Sequence, residues 1–172
     1  GAKQVNDARE DFWTSIFNFK SGLIGTWSWT ISAPGQPFSQ LSLYGANGNI
    51  VDSDIFHPAA FQARGECHLL DGTSYSMPKL QELFLESLSQ KKKNQLFPYG
   101  ITGGVTLELW DFIDALSKER PVEIDAEEGL RSKAVSEAIY ESGKCGQVVK
   151  VADVFKGKVN AYQKDVDRAW KL

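Results

Sequence analysis

The first half of the chain alternates hydrophobic and polar residues with the period of two that is typical of β-strands. Over residues 12–32, Trp27, Trp29 and Ile31 fall on one strand face, and the threonine and serine residues between them fall on the other. A Lys-Ser-Gly turn at residues 20–22 joins the two halves of this segment. The pattern predicts a β-hairpin.

Two more hairpins are predicted downstream. Residues 41–55 turn around Ala-Asn-Gly at 46–48, where Asn-Gly is expected to supply the positive φ angles of a tight turn. Residues 62–77 turn at the Asp-Gly pair 71–72. Three successive hairpins predict one mostly antiparallel sheet of six strands.

The second half of the chain places hydrophobic residues at helical spacing. Helices are predicted over about residues 79–90, 104–118, 126–142 and 158–170. The second of them should be half-buried along a stripe of apolar residues: Val105, Leu109, Phe112, Ile113 and Leu116.

The third predicted helix has a signal at each end. Asp125 and Glu128 form a capping-box pattern that begins it, and Gly143 is expected to end it as the C′ residue. Strands followed by helices predict an α+β fold. We expect an open-faced, mostly antiparallel sheet built from hairpins, with the helices packed on one face.

Composition is that of an ordinary globular protein, with 42% hydrophobic, 12% aromatic and 24% charged residues. We expect residues 1–172 to form a single domain, and Gly1-Ala2 to be a remnant of a cloning vector. The net charge of −3 gives no reason to expect nucleic acid or a membrane surface as a partner. The basic run Lys91-Lys92-Lys93 is expected to follow the helix at 79–90 and to complement its C-terminal end.

The reactive side chains give little indication of chemistry. Cys67 and Cys145 lie far apart without metal-ligand spacing, so we expect reduced thiols, no metal site and a cytoplasmic protein. Asp52 and Asp54 share a strand face, and we interpret them as solvated turn-edge residues rather than an acid/base pair.

A sheet that helices cover on one face leaves its other face to water or to a partner. Here the sheet is rich in aromatic residues, and exposed aromatic patches on monomers are uncommon. We therefore expect a homo-oligomer that associates through the sheet. Its contact should include Trp27 and Trp29, or the ring-bearing residues of the opposing face.

The helical half also contains an ordered series of short motifs. In chain order they are Asp-Phe-x-Asp-Ala-Leu at 111–116, Arg-Pro at 120–121, Asp-x-x-x-Gly-Leu at 125–130 and Glu-Ala-Ile-Tyr-Glu-Ser at 137–142. Upstream, Phe-x-x-Gly-x-x-Gly at 19–25 and Tyr-Gly-x-x-Gly-x-Ile at 44–50 are glycine turns between strands. Over about residues 11–151 this series resembles the C-terminal domain of the glucose-fructose oxidoreductase/inositol dehydrogenase (Gfo/Idh/MocA) family.

The family's catalytic machinery is not found in this chain. Members of the family begin with a Rossmann domain that carries a Gly-x-Gly-x-x-Gly loop. The family also has a Glu-Lys-Pro motif with the catalytic lysine and an Asp-x-x-x-His motif. Gly103-Gly104 lacks the strand context of a dinucleotide loop, and neither His57 nor His68 lies in the histidine motif. The resemblance therefore implies a fragment with no catalytic and no cofactor-binding residues, whose parent protein binds NAD or NADP in a Rossmann domain outside this chain.

The resemblance also implies where substrate would bind. In the family, two loops approach the cleft that faces the cofactor domain, here residues 33–38 with Gln36 and Phe38, and residues 95–102 with Tyr99. An amide, a ring and a phenol suit a hydroxylated ligand such as a sugar or polyol. The alternative is that proline and glycine geometry holds these loops while Tyr99 packs on a neighbour.

Two functions remain open at this point. The first is the substrate and oligomerisation domain of an NAD(P)-dependent oxidoreductase that acts on a sugar, a polyol or a related hydroxy compound, and that is inactive without its Rossmann domain. The second is a non-catalytic binding or assembly module that reuses the same fold.

Overall fold

A computed structural model of the protein describes residues 11–31, 35, 39–53 and 64–171. The strands are β1 (Phe12–Asn18), β2 (Ile24–Thr30), β3 (Leu41–Gly45), β4 (Gly48–Asp52), β5 (Gly65–Leu69) and β6 (Ser74–Ser76). The helices are α1 (Met77–Ser87), α2 (Gln90–Leu96), α3 (Gly104–Ser117), α4 (Ala126–Cys145), α5 (Val151–Phe155) and α6 (Ala161–Trp170), with a 3₁₀ turn at Pro98–Gly100.

The chain divides into two compact units. The first unit combines Gly1–Gly35 with Ile124–Leu172, and the second unit is Gln36–Glu123. The first unit thus holds β1, β2 and helices α4 to α6, and the second holds the remaining elements. Both units combine antiparallel strands with helices, so the predicted α+β fold class with open sheets is confirmed.

The predicted hairpin of the first unit is confirmed. Strands β1 and β2 pair antiparallel, and Trp13 lies opposite Trp29. Gly22 has a φ of 87°, and its N–H donates to the carbonyl of Phe19 over 3.0 Å, which closes the turn. Because strand side chains alternate, the register puts Trp13, Trp27 and Trp29 on one face of the hairpin.

The helices of the first unit pack around α4, which contacts both α5 and α6. Ala134 and Ala138 are buried, as expected for small residues that let two elements approach closely. The predicted cap is also confirmed, because a side-chain oxygen of Asp125 accepts from the backbone N–H of Glu128 over 3.0 Å.

The predicted C-terminal end of this helix is wrong. Helix α4 continues through Gly143 to Cys145, and Gly146, with a φ of 64°, is the left-handed cap. The side chain of Ser142 donates to the carbonyl of Gln147 over 2.7 Å and supports this later ending. The terminal helix also begins at Ala161 rather than near 158, and the short helix α5 was not predicted.

The second unit contains an antiparallel sheet in the order β3-β4-β5-β6. The hairpin at β3 and β4 is confirmed, but of its Asn-Gly pair Gly48 alone has a positive φ, at 149°. A side chain there would clash with the carbonyl oxygen of His68, so the position requires glycine. The third hairpin turns as predicted, with a carboxylate oxygen of Asp71 accepting from the N–H of Thr73 over 2.8 Å.

The prediction of one six-stranded sheet is wrong for the described residues, which form one sheet of two strands and one of four. Strand alternation specifies pairing inside a hairpin, where the turn sets the register, but it does not say which hairpin edges meet. Within the second unit, α1 packs against β5 and β6. Cys67 on β5 is buried on the same sheet face as Leu43, Ile50 and Tyr75.

The helix predicted over residues 79–90 corresponds to α1, and a second helix that was not predicted, α2, follows it. The side-chain oxygen of Ser89 accepts from the N–H of Lys92 over 3.2 Å, so a new helix begins there. Lys91-Lys92-Lys93 therefore belongs to α2, and its predicted place at the end of the preceding helix is wrong.

The stripe predicted to be half-buried on α3 is exposed instead, with accessibilities from 53% at Phe112 to 68% at Val105, and Ala115 is the buried residue of that helix. Among the described residues, no helix combines the length and the apolar character that crossing a membrane requires.

Candidate functional site

A cavity of about 580 Å³ lies in the second unit, and we call it the Trp110 cavity. One side is α2 with the 3₁₀ turn, and the other is α3 with the segment that follows it. Its lining combines an aromatic ring, two amides and several charged groups: Lys92, Asn94, Gln95, Leu96, Pro98, Leu107, Trp110, Asp111, Arg120 and Glu123. Its volume is within the range of small-molecule sites, and polar or charged residues outnumber apolar ones in its lining.

Tyr99 lies beside this cavity in an unusual backbone conformation. Its φ is 54°, which is rare for a residue other than glycine, and its side chain is 92% exposed. The ring makes an edge-on contact with Trp110, with the two centroids 6.5 Å apart. Strained backbone of this kind is concentrated at binding sites. The contact with Trp110 agrees with the packing alternative, and the exposure leaves the phenol accessible to a ligand.

The other predicted site residues do not join this cavity in the described structure. Gln36 and Phe38 lie outside the described residues, as do His57 and Asp54. Trp27 and Trp29 belong to the first unit, where both are partly exposed and Trp13 packs edge-on against Trp27 at 4.7 Å. Tyr99 is thus the cleft candidate that the structure places beside a cavity.

An ion cluster forms one wall of the Trp110 cavity. The guanidinium of Arg120 donates to Asp111 over 2.7 Å and to Asp114 over 2.9 Å and 3.1 Å. It also donates to the carbonyl of Pro121 over 3.0 Å, while Asp111 accepts from the backbone N–H of Glu123 over 2.9 Å. These bonds hold the segment after α3 against that helix. We call this group the Arg120 cluster.

The members of the Arg120 cluster stabilise one another in their ionised forms. The backbone N–H of Glu123 and then Arg120 lower the pKa of Asp111, and Lys118 and then Arg120 lower the pKa of Asp114. The two carboxylates in turn raise the pKa of Arg120. Groups stabilised in their charged forms do not exchange protons readily near neutral pH. The cluster is therefore suited to positioning and not to acid/base catalysis.

The sequence analysis named Asp111, Asp114 and Arg120 as parts of a motif but gave them no common role, and it did not name Trp110. Contacts between residues nine or six positions apart across a helix end depend on how the chain turns back after α3. The signal that could have indicated Trp110 is an aromatic ring between Glu108 and Asp111, which otherwise mark the polar side of α3.

A second polar group lies on the four-stranded sheet. The Nδ1 of His68 is 2.9 Å from the hydroxyl of Ser74, and its Nε2 is 3.2 Å from a carboxylate oxygen of Glu66. The order of groups resembles that of a hydrolytic triad, but the side chains of His68 and Glu66 are well exposed and solvated. We interpret it as surface pairing, across two strands between His68 and Ser74 and along β5 between His68 and Glu66. In the described part of the chain, no three His, Cys, Asp or Glu side chains form a group that could hold a metal ion.

Comparison with known protein families identifies the family to which the motifs of residues 11–151 belong. Residues 2–151 match the family model of the oxidoreductase family, C-terminal alpha/beta domain, of the Gfo/Idh/MocA type. No curated protein and no solved structure matches the chain. The matched segment contains the Trp110 cavity, Tyr99 and the Arg120 cluster.

Proposed function

This chain belongs to the Gfo/Idh/MocA oxidoreductase family, whose C-terminal alpha/beta domain it matches, and we propose that it is the substrate-binding and oligomerisation domain of an NAD(P)-dependent enzyme. The substrate would be a sugar, a polyol or a related hydroxy compound. The observation that carries the proposal is the family match over residues 2–151 together with the Trp110 cavity inside it.

The lining of the Trp110 cavity supports a hydroxylated substrate. Asn94 and Gln95 offer amide donors and acceptors, and Lys92 and Glu123 add one donor and one acceptor group. The ring of Trp110 offers an apolar wall for the carbon face of a sugar. On the same side of the cavity, the Arg120 cluster fixes the segment after α3 through bonds that need no ligand, so this side is pre-organised.

The cofactor would be NAD or NADP, bound by a Rossmann domain of the parent protein. The described residues of this chain do not fit it, because Gly103 and Gly104 open α3 directly after the 3₁₀ turn and a short connection rather than after a strand. We therefore assign substrate binding to this chain and cofactor binding to the Rossmann domain. The reaction would be hydride transfer at a C–H bond of the hydroxyl-bearing carbon, in a cytoplasmic enzyme, with the proton managed by residues of the cofactor domain.

We propose that the chain self-associates through its open sheet faces. On the hairpin of the first unit, Phe12, Ile16 and Ile24 are more exposed than Trp27 and Trp29 on the other face. A contact that covers these side chains would remove apolar area from water. Sedimentation of the wild type, compared with the variants Trp29→Ser and Ile16→Ser, tests this association. A folded wild type that remains monomeric at high micromolar concentration contradicts it.

Ligand binding by the isolated chain tests the proposed function. We expect D-glucose or D-sorbitol to bind weakly and saturably by isothermal titration, and Trp110→Leu to remove the part of this binding that belongs to the Trp110 cavity. Trp170→Leu, which changes an exposed tryptophan of the first unit, is the matched control and should bind like the wild type.

The same preparation tests whether the cofactor site lies outside this chain. Titration with NADH should give no saturable fluorescence change, and micromolar NADH binding would contradict the assignment of the cofactor site to another domain. If neither compound binds and the chain instead captures a protein partner, the alternative of an assembly module replaces the proposal.

A further inference from the structure

The first unit has a cavity of its own, of about 380 Å³, which we call the Trp29 pocket. Trp29 near the end of β2 and Ile31 just after it form one side, and α4 and α6 form the other. Aromatic rings dominate its walls, because Tyr140 and Tyr162 also line it. Nothing in the proposed function uses this pocket, which belongs to the first unit and not to the unit of the Trp110 cavity.

The aromatic wall is held in place by a ring stack and by a buried carboxylate. The rings of Tyr140 and Tyr162 stack with their centroids 5.1 Å apart and their planes within 17° of parallel. The backbone N–H groups of Tyr162 and Gln163 donate to the buried carboxylate of Glu141 over 3.0 Å and 3.1 Å, which fixes the first turn of α6 against α4. A wall held by a ring stack and a buried anchor does not collapse to fill the space beside it.

The polar groups of the Trp29 pocket are balanced in charge. The ammonium of Lys133 and the carboxylate of Glu137 lie 2.7 Å apart, and Gln163 adds an amide. A net charge on a ligand would have to break or oppose this ion pair. Hydroxyl groups both donate and accept hydrogen bonds, so they can bind to an ammonium, a carboxylate and an amide together.

We propose that the Trp29 pocket is a second binding site, which takes a neutral, hydroxylated ring compound of monosaccharide size. The C–H face of such a ring would lie against Trp29 and the tyrosine stack, and its hydroxyl groups would meet Lys133, Glu137 and Gln163. A planar aromatic compound could use the rings but would make no hydrogen bond to Lys133, Glu137 or Gln163. The volume of the pocket is within the range of small-molecule sites.

Fluorine NMR on the complete chain can test this site separately from the Trp110 cavity. The chain has five tryptophans, so 5-fluorotryptophan labelling gives five signals, which single Trp→Phe variants assign. On addition of D-glucose, the Trp29 signal should shift saturably with a Kd of about 1 to 10 mM. Tyr140→Leu should weaken that response about tenfold, because it removes one ring of the stack while keeping an apolar side chain at the position.

Tyr44→Leu, at an exposed tyrosine of the second unit, is the matched control and should leave the Trp29 response unchanged. A Trp29 signal that stays fixed up to about 100 mM glucose overturns the proposal, since a Kd in the millimolar range would be saturated there. The proposal is also overturned if Tyr140→Leu leaves the Trp29 response to glucose unchanged while the other fluorine signals show that the variant is folded. A stronger Trp29 response to indole than to glucose also overturns the proposal. So does a Trp29 shift that depends on protein concentration alone, because it would indicate that a second copy of the chain covers this surface.

The two proposals fail separately in this experiment. If the Trp110 signal responds to glucose and the Trp29 signal does not, the second site is wrong and the substrate cavity stands. If the Trp29 signal alone responds, the second site stands and the assignment of the Trp110 cavity is wrong.

Discussion

Each unit uses carboxylates from the family's motifs to hold a segment of the chain in place. The carboxylate of the first unit is buried, whereas those of the second unit are partly exposed to water. In the first unit, Glu141 is 2% exposed and accepts from two backbone N–H groups at the start of α6. In the second unit, Asp111 and Asp114 bind Arg120 where all three side chains remain in partial contact with water. One anchor depends on burial and the other on a network of opposite charges.

The comparison shows why the first anchor needs no counter-ion. Asn160, the residue before α6, makes no side-chain capping bond, so the free N–H groups of that helix are available to Glu141. The N-terminal end of a helix carries partial positive charge, which stabilises a carboxylate even when it is buried. Asp111 and Asp114 begin no helix of their own, and they rely on side-chain cations instead.

The largest effect should come from removing the buried anchor. Glu141→Ala leaves two backbone N–H groups without their partner and opens a cavity, so we expect it to lower the free energy of unfolding by about 3 kcal/mol. Urea unfolding measures this loss. Glu137→Ala, one turn earlier on α4, is the control and should cost much less because its partner Lys133 is exposed. Equal losses in the two variants would show that Glu141 is not an anchor.

A smaller effect should follow from removing the charged anchor. Arg120→Met keeps much of the side-chain volume but breaks the bonds to Asp111, Asp114 and Pro121, so we expect a lower melting temperature. Because the cluster is partly exposed, high salt should reduce the difference between the variant and the wild type. Arg131→Met, which removes an exposed helical ion pair, is the control and should change the melting temperature least. Salt should not alter the effect of Glu141→Ala; a matching salt dependence would remove the distinction between the anchors.

The smallest effect should be the acid dependence of the charged anchor. The pKa values of Asp111 and Asp114 are lower in the folded chain than in the unfolded chain, so both carboxylates stabilise the fold above about pH 4. This contribution disappears as the pH falls through the lower, folded-state values. The difference in unfolding free energy between the wild type and Arg120→Met should therefore shrink between about pH 5 and pH 2. A difference that stays constant over this range would mean that the ion pairs contribute nothing.

The features that the sequence predicted correctly are local ones. The turns at Gly22 and Asp71 and the cap at Asp125 depend on residues within a few positions of each other. The family could be identified for a related reason, because its signature is a series of short motifs in a fixed order.

The features that the sequence did not predict depend on distant contacts. The Arg120 cluster forms because the chain folds back after α3, and Glu141 finds its partners 21 and 22 residues away. The separation of the strands into two sheets is equally non-local. Apolar periodicity located α3 correctly, but it could not say whether its stripe would be covered.

The cap that α4 supplies to α6 has a consequence for how this part of the molecule opens. A helix that carries its own cap can form and fray independently, whereas α6 needs a side chain from a different helix to begin. The amides of Tyr162 and Gln163 should therefore exchange their hydrogens with solvent only when the two helices separate, in one cooperative step. A synthetic peptide of residues 158–172 should accordingly be largely unstructured in water.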